Sequence, residues 1–518
     1  MCLIAGGIGE NLREKFIGMI EAGKHRGPDG FGVWTDSGVL KSSDFSRIEE
    51  VPEGKIGILQ CRLAMTGSKS FIQPFVNELA LVHNGEVYNH RAIREYLEGK
   101  GVSFESDVDS EVILRLLEFL SREASFPRAV RELMSWLEGD YAVAFSDGGR
   151  LYLFRDPIGV RPLYFSPRGF FASEKKVLWA IGERAVPVEP GEIVALDGHS
   201  VRRARLFSPE RLKGRGLSEG SVLRGLEKLL DYSVRVRTTR KTGVLFSGGL
   251  DSTIVAFLAS RHSDVVLYTA GTEGSHDVEW AGRVADHLGL PLRVETFDLE
   301  LLREELPRIA FAIEEPNPMN LAIAVPLYFA TRLAGNDGVK VILTGQGADE
   351  LFGGYAKYLE RPWLMWEDLL TLAERNLARD DKVAMLNGVE GRYPFLSLPV
   401  VRLALNVPPE LKLSNGRKLI LRKLARKLGL PEWIAERPKK AAQYGSGAQK
   451  LLEKLAKEKK LRLREFAREL FEGALSKRFL IPSPTPPHEN PDGGPLPPAR
   501  GRRREARGQP RQAPEEEA

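Results

Sequence analysis

The stretch TGVLFSGGLDSTIVAFLAS, residues 242–260, constrains this chain more than any other. Val244, Leu245 and Phe246 read as a short buried strand, and the apolar residues after Ser252 recur at helical spacing. Between them, Gly248 and Gly249 form a turn in which the backbone can pass close to a ligand. A strand that enters a helix through glycines aims the unpaired N–H groups of that helix at whatever lies over the turn, which makes an anion site. Ser247 and Ser252 add hydroxyl donors suited to phosphate oxygens, and Asp251 is placed to hold a magnesium ion. The same pattern also arises in glycine turns that bind nothing. The lysine of G-x-x-x-x-G-K-[ST] and the three spaced glycines of G-x-G-x-x-G are both absent, so neither of those loops applies.

A chain of 518 residues is long enough for two or three domains with their own cores. A formal charge of +5 is small for this length and gives no reason to expect a nucleic-acid partner. Cys2 and Cys61 are the only cysteines, which excludes a disulfide framework and suits a reducing, cytoplasmic setting. No apolar run reaches membrane-spanning length and the N-terminus lacks the form of a signal peptide, so no membrane partner is expected. Oligomeric state stays open, with a homodimer among the outcomes composition allows.

The chain opens MCLIAGG. Aminopeptidases remove Met1 before a residue as small as cysteine, and Cys2 would then carry a thiol nucleophile and a free α-amino group. Such an amine, with a pKa of about 8 in its ordinary state, can serve as the general base on the same residue. The competing reading is a cysteine packed on an apolar first strand. Downstream come HRGPDGFG (25–32), CRLAM (61–65), VHNGEVYNH (82–90), SDVDSEVIL (106–114), LEGDYAVAF (137–145), RDPIGVRPLYF (155–165) and FASEKKVL (171–178). Their set and order resemble the class II glutamine amidotransferase domain, an N-terminal nucleophile hydrolase.

That resemblance implies a role for each matching position. Cys2 would attack the glutamine amide, with the side-chain amide of Asn84 and the backbone N–H of Gly85 forming the oxyanion hole. Arg62 would grip the glutamine α-carboxylate, and Glu86 and Asp109 its α-ammonium, with backbone groups near Leu63 and Met65 completing the pocket. Arg155 and Asp156 read as scaffold, and Cys61 as a packed strand thiol. The implied fold is a four-layer αββα sandwich over 2–205.

From 219 onward, strand and helix patterns alternate: a strand at 264–271, a helix at 277–289, helices at 299–313 and 322–334, and KVILTG at 340–345. This alternation predicts a doubly wound parallel sheet with extra helices, α/β after the α+β sandwich, with ligands at the carboxyl ends of its strands. SGGLDS resembles the pyrophosphate-binding loop of ATP pyrophosphatases. AGTEGSHD (270–277), TGQGADELFGGY (344–355), VEGRYPFLS (389–397) and RPKKAAQYGSG (437–447) resemble asparagine synthetase blocks. By that comparison Leu245, Ala270, Thr344 and Gly345 frame the adenosine of ATP, and Ser247, Gly248, Gly249 and Ser252 hold its phosphates. Asp251 and Asp349 would bind Mg2+, and Lys439 would steady the adenylate, with Lys440 a close competitor.

The whole therefore resembles glutamine-hydrolysing asparagine synthetase across about residues 2–450, with a glutaminase domain at 2–205 and a synthetase domain at 219–475. The implied substrates are glutamine, ATP and aspartate or a related carboxylate, with ammonia passing between the domains. Three departures bear on the acceptor: Gln346 stands where the family has a glutamate, MNLAIAVPL (319–327) lacks the usual arginine, and Ser397 replaces an aspartate. They leave two other readings, a ligase for another carboxylate and a non-catalytic glutamine or nucleotide sensor. The Pro- and Arg-rich segment 481–518 is expected to be a disordered tail.

Overall fold

Alternation along the strand YAVAF decides where the first core lies. In the computed structural model, Tyr141, Val143 and Phe145 face one way into a core with helices, while Ala142 and Ala144 face the other way into a second core. Successive strand side chains take opposite faces, so this strand is buried on both sides. The structure describes residues 2–64, 71–208, 217–414, 416–437 and 442–476. They belong to one compact unit.

The chain first lays down β1 (Leu3–Ile8), β2 (Phe31–Thr35), β3 (Gly38–Ser42), β4 (Ile56–Cys61), β5 (Phe75–Val76) and β6 (Ala80–Val87). It continues with β7 (Gly139–Ser146), β8 (Leu151–Arg155), β9 (Tyr164–Phe165), β10 (Phe170–Ala172), β11 (Val186–Pro187), β12 (Glu192–Leu196) and β13 (Val201–Arg205). These form two sheets, one ordered β11-β9-β10-β1-β4-β2-β3 and the other β13-β12-β8-β7-β6-β5. Ile4, Ile58 and Phe171 of the first sheet meet Val82, Leu153 and Val194 of the second in one shared core. Helix Leu12–Gly23 covers the outer face of the first sheet. Helices His90–Glu98, Asp109–Ser121 and Phe126–Trp136 cover that of the second. The result is the expected αββα sandwich. Cys61 lies fully buried at the end of β4, packed as expected.

The C-terminal half is wound on five parallel strands, β14 (Lys241–Leu245), β15 (Asp264–Gly271), β16 (Leu292–Thr296), β17 (Val341–Leu343) and β18 (Glu390–Arg392). Their order is β16-β15-β14-β17-β18. Helices that include Glu219–Arg237, Leu250–Ala259 and Leu419–Lys427 cover one face, and helices that include Leu299–Ile313 and Pro318–Asn336 the other. The chain moves outward from β14 on one side, then returns past it to β17. Connections therefore diverge above β14 and β17, and a crevice opens at their carboxyl ends, the place where ligands bind in such sheets.

Buried charges hold the sandwich against this sheet. Arg26 Nη1 lies 2.7 Å from Glu174 Oε1 and 2.8 Å from Asp381 Oδ2, with all three side chains out of solvent. Arg161, after β8, reaches Glu390 Oε1 of β18 at 2.9 Å and Asp381 Oδ1 at 3.4 Å. Lys176 stands 2.6 Å from Glu174 and 3.6 Å from Glu314, whose other oxygen is 2.7 Å from Lys382. Replacing Asp381 by alanine leaves two buried guanidiniums short of a counter-charge. The expected loss is about 3–5 kcal/mol of folding stability, read from urea unfolding at neutral pH; a loss under about 1 kcal/mol would show that the pairs are dispensable.

Candidate active site

Two centres emerge, one in the sandwich and one in the crevice. In the first, Cys2 precedes β1 and is almost fully buried. Its N–H donates to Asn84 Oδ1 at 3.0 Å, and its Sγ lies 3.9 Å from the Leu63 carbonyl oxygen. The strand β6 brings Asn84, Gly85 and Glu86 in beside it, paired across to Ala142, Tyr141 and Asp140 of β7. Asn84 Nδ2 is buried and finds no acceptor among the described residues. An unmade bond of this kind is costly unless a ligand completes it. Gly85 has φ +144°, and a Cβ there would sit 2.0 Å from the Asp140 carbonyl oxygen, so only glycine lets the strand pass.

Around these atoms stand the charges a small zwitterion would need. Arg62, just past β4, is buried, with its backbone tied to Gly30 and Asp29. Asp109 opens the helix Asp109–Ser121, and its Oδ2 accepts the Val87 N–H at 2.9 Å. Glu86 is buried next to it, and burial, opposed by Arg392 and reinforced by Asp109, pushes its carboxyl up. Met65, the remaining expected contact, lies outside the described residues.

The second centre is a cavity of about 960 Å³ over β14 and β17. Leu245, Ser247, Gly249, Asp251, Ser252 and Ala270 line it, and so do Thr344, Gly345 and Asp349. Gly248 is the exception. It turns away from the cavity at φ +63°, its carbonyl accepting the Trp280 Nε1–H at 3.0 Å. It shapes the loop and does not line it. Gly345 is required by close approach, since a Cβ there would lie 2.8 Å from the Asp251 Cβ. Lys439 and Lys440 lie outside the described residues.

Several cavity residues carried no signal that sequence reasoning used. Lys418 Nζ is paired with Asp251 and sits 2.6 Å from Asp349 Oδ1, joining the two carboxylates expected at the metal. Burial works against its charge, but Asp251 and Asp349 outweigh that and raise its pKa. In the sequence it reads only as one lysine before an amphipathic helix. Arg437 donates from Nη1 to the Ser247 carbonyl at 2.6 Å and from Nη2 to Asp277 at 3.0 Å, which clamps the loop from behind. Arg379 donates to Asn320 Oδ1 at 2.9 Å and lines the cavity from the far wall, beside Arg375 on a single π-helical turn at Ala373–Leu377. Such turns frequently mark functional sites. Lys175 lines the cavity too, so the sandwich half contributes to its wall.

Among the described residues no three metal-ligating side chains gather. Two carboxylates on a wall shared with a polyphosphate suit magnesium, which takes one or two carboxylates and completes its shell with phosphate and water. Asp251 and Asp349 thus fit the ion.

The sandwich thus holds a buried Cys2 beside an unpartnered amide donor, and the parallel-sheet half opens a switch-point cavity lined by charges. Residues 1–197 match the family model for the glutamine amidotransferase domain, and 225–367 and 360–481 match that for asparagine synthase. A relative from Methanocaldococcus jannaschii, putative asparagine synthetase [glutamine-hydrolyzing] 1, is 37% identical over 90% of this chain and 98% of its own length. Asparagine synthetase B of Escherichia coli is 27% identical over 84% of this chain and 80% of its own length, and asparagine synthetase 1 of Saccharomyces cerevisiae 28% over 82% and 80%. This chain belongs to the glutamine-hydrolysing asparagine synthetase family and is a ligase that draws its nitrogen from glutamine. Among the described residues no helix is long and apolar enough to cross a membrane.

The orphan amide of Asn84 gives a direct test. Asn84→Ala is expected to lower the turnover of glutamine hydrolysis about 10²–10³-fold with little change in KM, as loss of one oxyanion donor does. A KM effect alone would move Asn84 from the reacting carbonyl to substrate binding.

Proposed function

We propose that this chain makes asparagine from aspartate, with residues 2–205 hydrolysing glutamine and residues 219–475 activating the acid with ATP. The single observation that carries the reading is the joining of the two centres by buried charge, with Lys175 of the sandwich on the wall of the crevice cavity. Cys2, freed of Met1, attacks the glutamine amide, and its own α-amine takes the thiol proton. Asn84 and the Gly85 N–H hold the oxyanion, Arg62 the α-carboxylate, and Glu86 with Asp109 the α-ammonium. Collapse of the tetrahedral species releases ammonia, and water then frees glutamate from the thioester.

In the cavity the aspartate side-chain carboxylate attacks the α-phosphorus of ATP, pyrophosphate leaves, and ammonia displaces AMP from the mixed anhydride. Ser247, Gly249 and Ser252 face the phosphates, and Leu245, Ala270, Thr344 and Gly345 the nucleoside. Asp251 and Asp349 would hold magnesium, which would supply neutralisation of charge on the leaving pyrophosphate. With either of Lys439 or Lys440 as a further cation, the adenylate would be steadied as well.

The three sequence departures are compatible with aspartate. Arg379 and Arg375 supply cations on the wall near Asn320, which stands in for the arginine that 319–327 lacks. Ser397 is buried outside the cavity lining, at the start of the helix Leu398–Asn406, so its change does not alter the pocket directly. Gln346 does line the cavity, with its N–H held by Thr344 Oγ1 at 3.1 Å. An amide there cannot take the proton from attacking ammonia, which leaves that proton to solvent or phosphate. The same reading expects the enzyme in the cytoplasm, acting on small molecules without nucleic acid or membrane, and leaves its oligomeric state open, a homodimer among the outcomes.

The test is pyrophosphate release from ATP with a panel of carboxylate acceptors, fed by glutamine or by ammonium, with the products weighed. Asparagine formed from aspartate with both nitrogen sources is the expected result, and release with a different acid replaces the acceptor. Cys2→Ala is expected to abolish glutamine use while ammonium-dependent synthesis continues. Loss of both activities in a folded variant would overturn the division of labour.

A further inference from the structure

Glu86 is the one expected glutamine contact whose carboxylate is held from the other half of the molecule. Arg392 Nη2 donates to Glu86 Oε2 at 3.1 Å, with both side chains buried. Arg392 is the last residue of β18, where it pairs with Leu343 of β17. Its own carbonyl accepts the Thr344 N–H at 3.0 Å, so its backbone is fixed at the rim of the crevice cavity. Its other two nitrogens donate as well. Nε goes to Glu390 Oε1 at 2.9 Å and Nη1 to the Arg237 carbonyl at 3.1 Å. Arg237 in turn donates to Asp140 Oδ1 at 2.9 Å, and Asp140 is the cross-strand partner of Glu86. Both guanidiniums lie over the Tyr88 ring.

This arrangement has a consequence for charge. Glu86 sits in a dry pocket with Asp109 close by, both of which push its carboxyl up, and Arg392 opposes them. Arg392 is the cation in hydrogen-bond contact with it, and Glu390 on the same fork keeps that guanidinium oriented. Glu390 itself is held well below the usual carboxylate range because Arg392 and Arg161 outweigh its burial. A fork fixed at three acceptors has no freedom to follow a displaced carboxylate.

We propose that Arg392 is a positioning residue of the glutamine site, supplied by the parallel sheet, which holds the Glu86 carboxyl aimed at the substrate's α-ammonium. The proposal rests on the reading of Glu86 as the ammonium contact. It means that the sandwich half completes its glutamine pocket only when docked on the sheet, and that substrate affinity in one half is set by a strand of the other.

Steady-state glutamine hydrolysis and ammonium-dependent synthesis, measured on the full chain for R392M, R392K and E86Q, decide the matter. R392M is expected to raise the glutamine KM about 30-fold, the effect of stripping one partner from a buried charge pair, with kcat within about threefold. R392K, which keeps the charge but loses the fork, falls between R392M and the unaltered protein. An unchanged glutamine KM in R392M overturns the proposal, as does a parallel fall of both activities, which would mark a purely structural role. If R392M does not fold, R392K decides, and a KM equal to that of the unaltered protein overturns it. E86Q separates the two readings. An unchanged KM there removes Glu86 from the substrate and the proposal with it, whereas a raised KM in E86Q beside unchanged arginine variants removes Arg392 alone.

Discussion

A chain of buried ion pairs is the interaction on which the rest of this structure depends. Arg26, Arg161 and Lys176 of the sandwich and Asp381, Lys382, Glu390 and Arg392 of the sheet half lie almost wholly out of water. Charges in that position are tolerable only when each is matched, because desolvation costs several kcal/mol per ion. The matching therefore specifies one docking of the two halves. A slip by one residue would leave a bare guanidinium in the interface. Apolar contact between the halves could hold them together, but it is non-directional and would not fix their register.

The same constraint reaches both centres. In the sandwich, Arg26 donates from Nε to the Cys2 carbonyl at 3.3 Å and pairs with Glu174 and Asp381, so the backbone of Cys2 is tied to the interface. On the cavity side, Glu314 accepts the Lys176 N–H at 2.9 Å and the Lys175 N–H at 3.2 Å, from a left-handed backbone at φ +57°. A non-glycine residue held in that conformation is strained unless its surroundings over-determine it, and here two lysines and two N–H groups do so. The next residue, Glu315, lines the cavity. The geometry of each centre is thus set partly by groups that belong to the other half.

The cavity itself follows from topology. Strand order reverses at β14 and β17, and the loops leaving those two strands supply most of the expected nucleotide contacts. Local chemistry then refines it. Gly248 takes a positive φ to turn the loop, Gly345 stays bare so that the two loops can approach, and Arg437 clamps the Ser247 carbonyl. Lys418 pairs with both Asp251 and Asp349, two acids more than ninety residues apart in the chain.

What the sequence determined by itself was the class of each half and the order of the motifs along it. Period-two alternation in YAVAF, the strand–glycine–helix form of SGGLDS and the order of motifs around Cys2, Asn84 and Asp109 are local patterns, and local patterns survive in a string of letters. Nothing local reports a partner more than two hundred residues away. Arg392 lay within a recognised block, but its guanidinium meets Glu86 only because β18 stacks on β17 and the sheet docks on the sandwich. Lys418 and Arg379 read as ordinary helix charges until the fold turns them into the crevice. The tertiary structure decided which charges face one another, because a buried charge is defined by the groups around it, and those come from strands and helices that the chain order keeps apart.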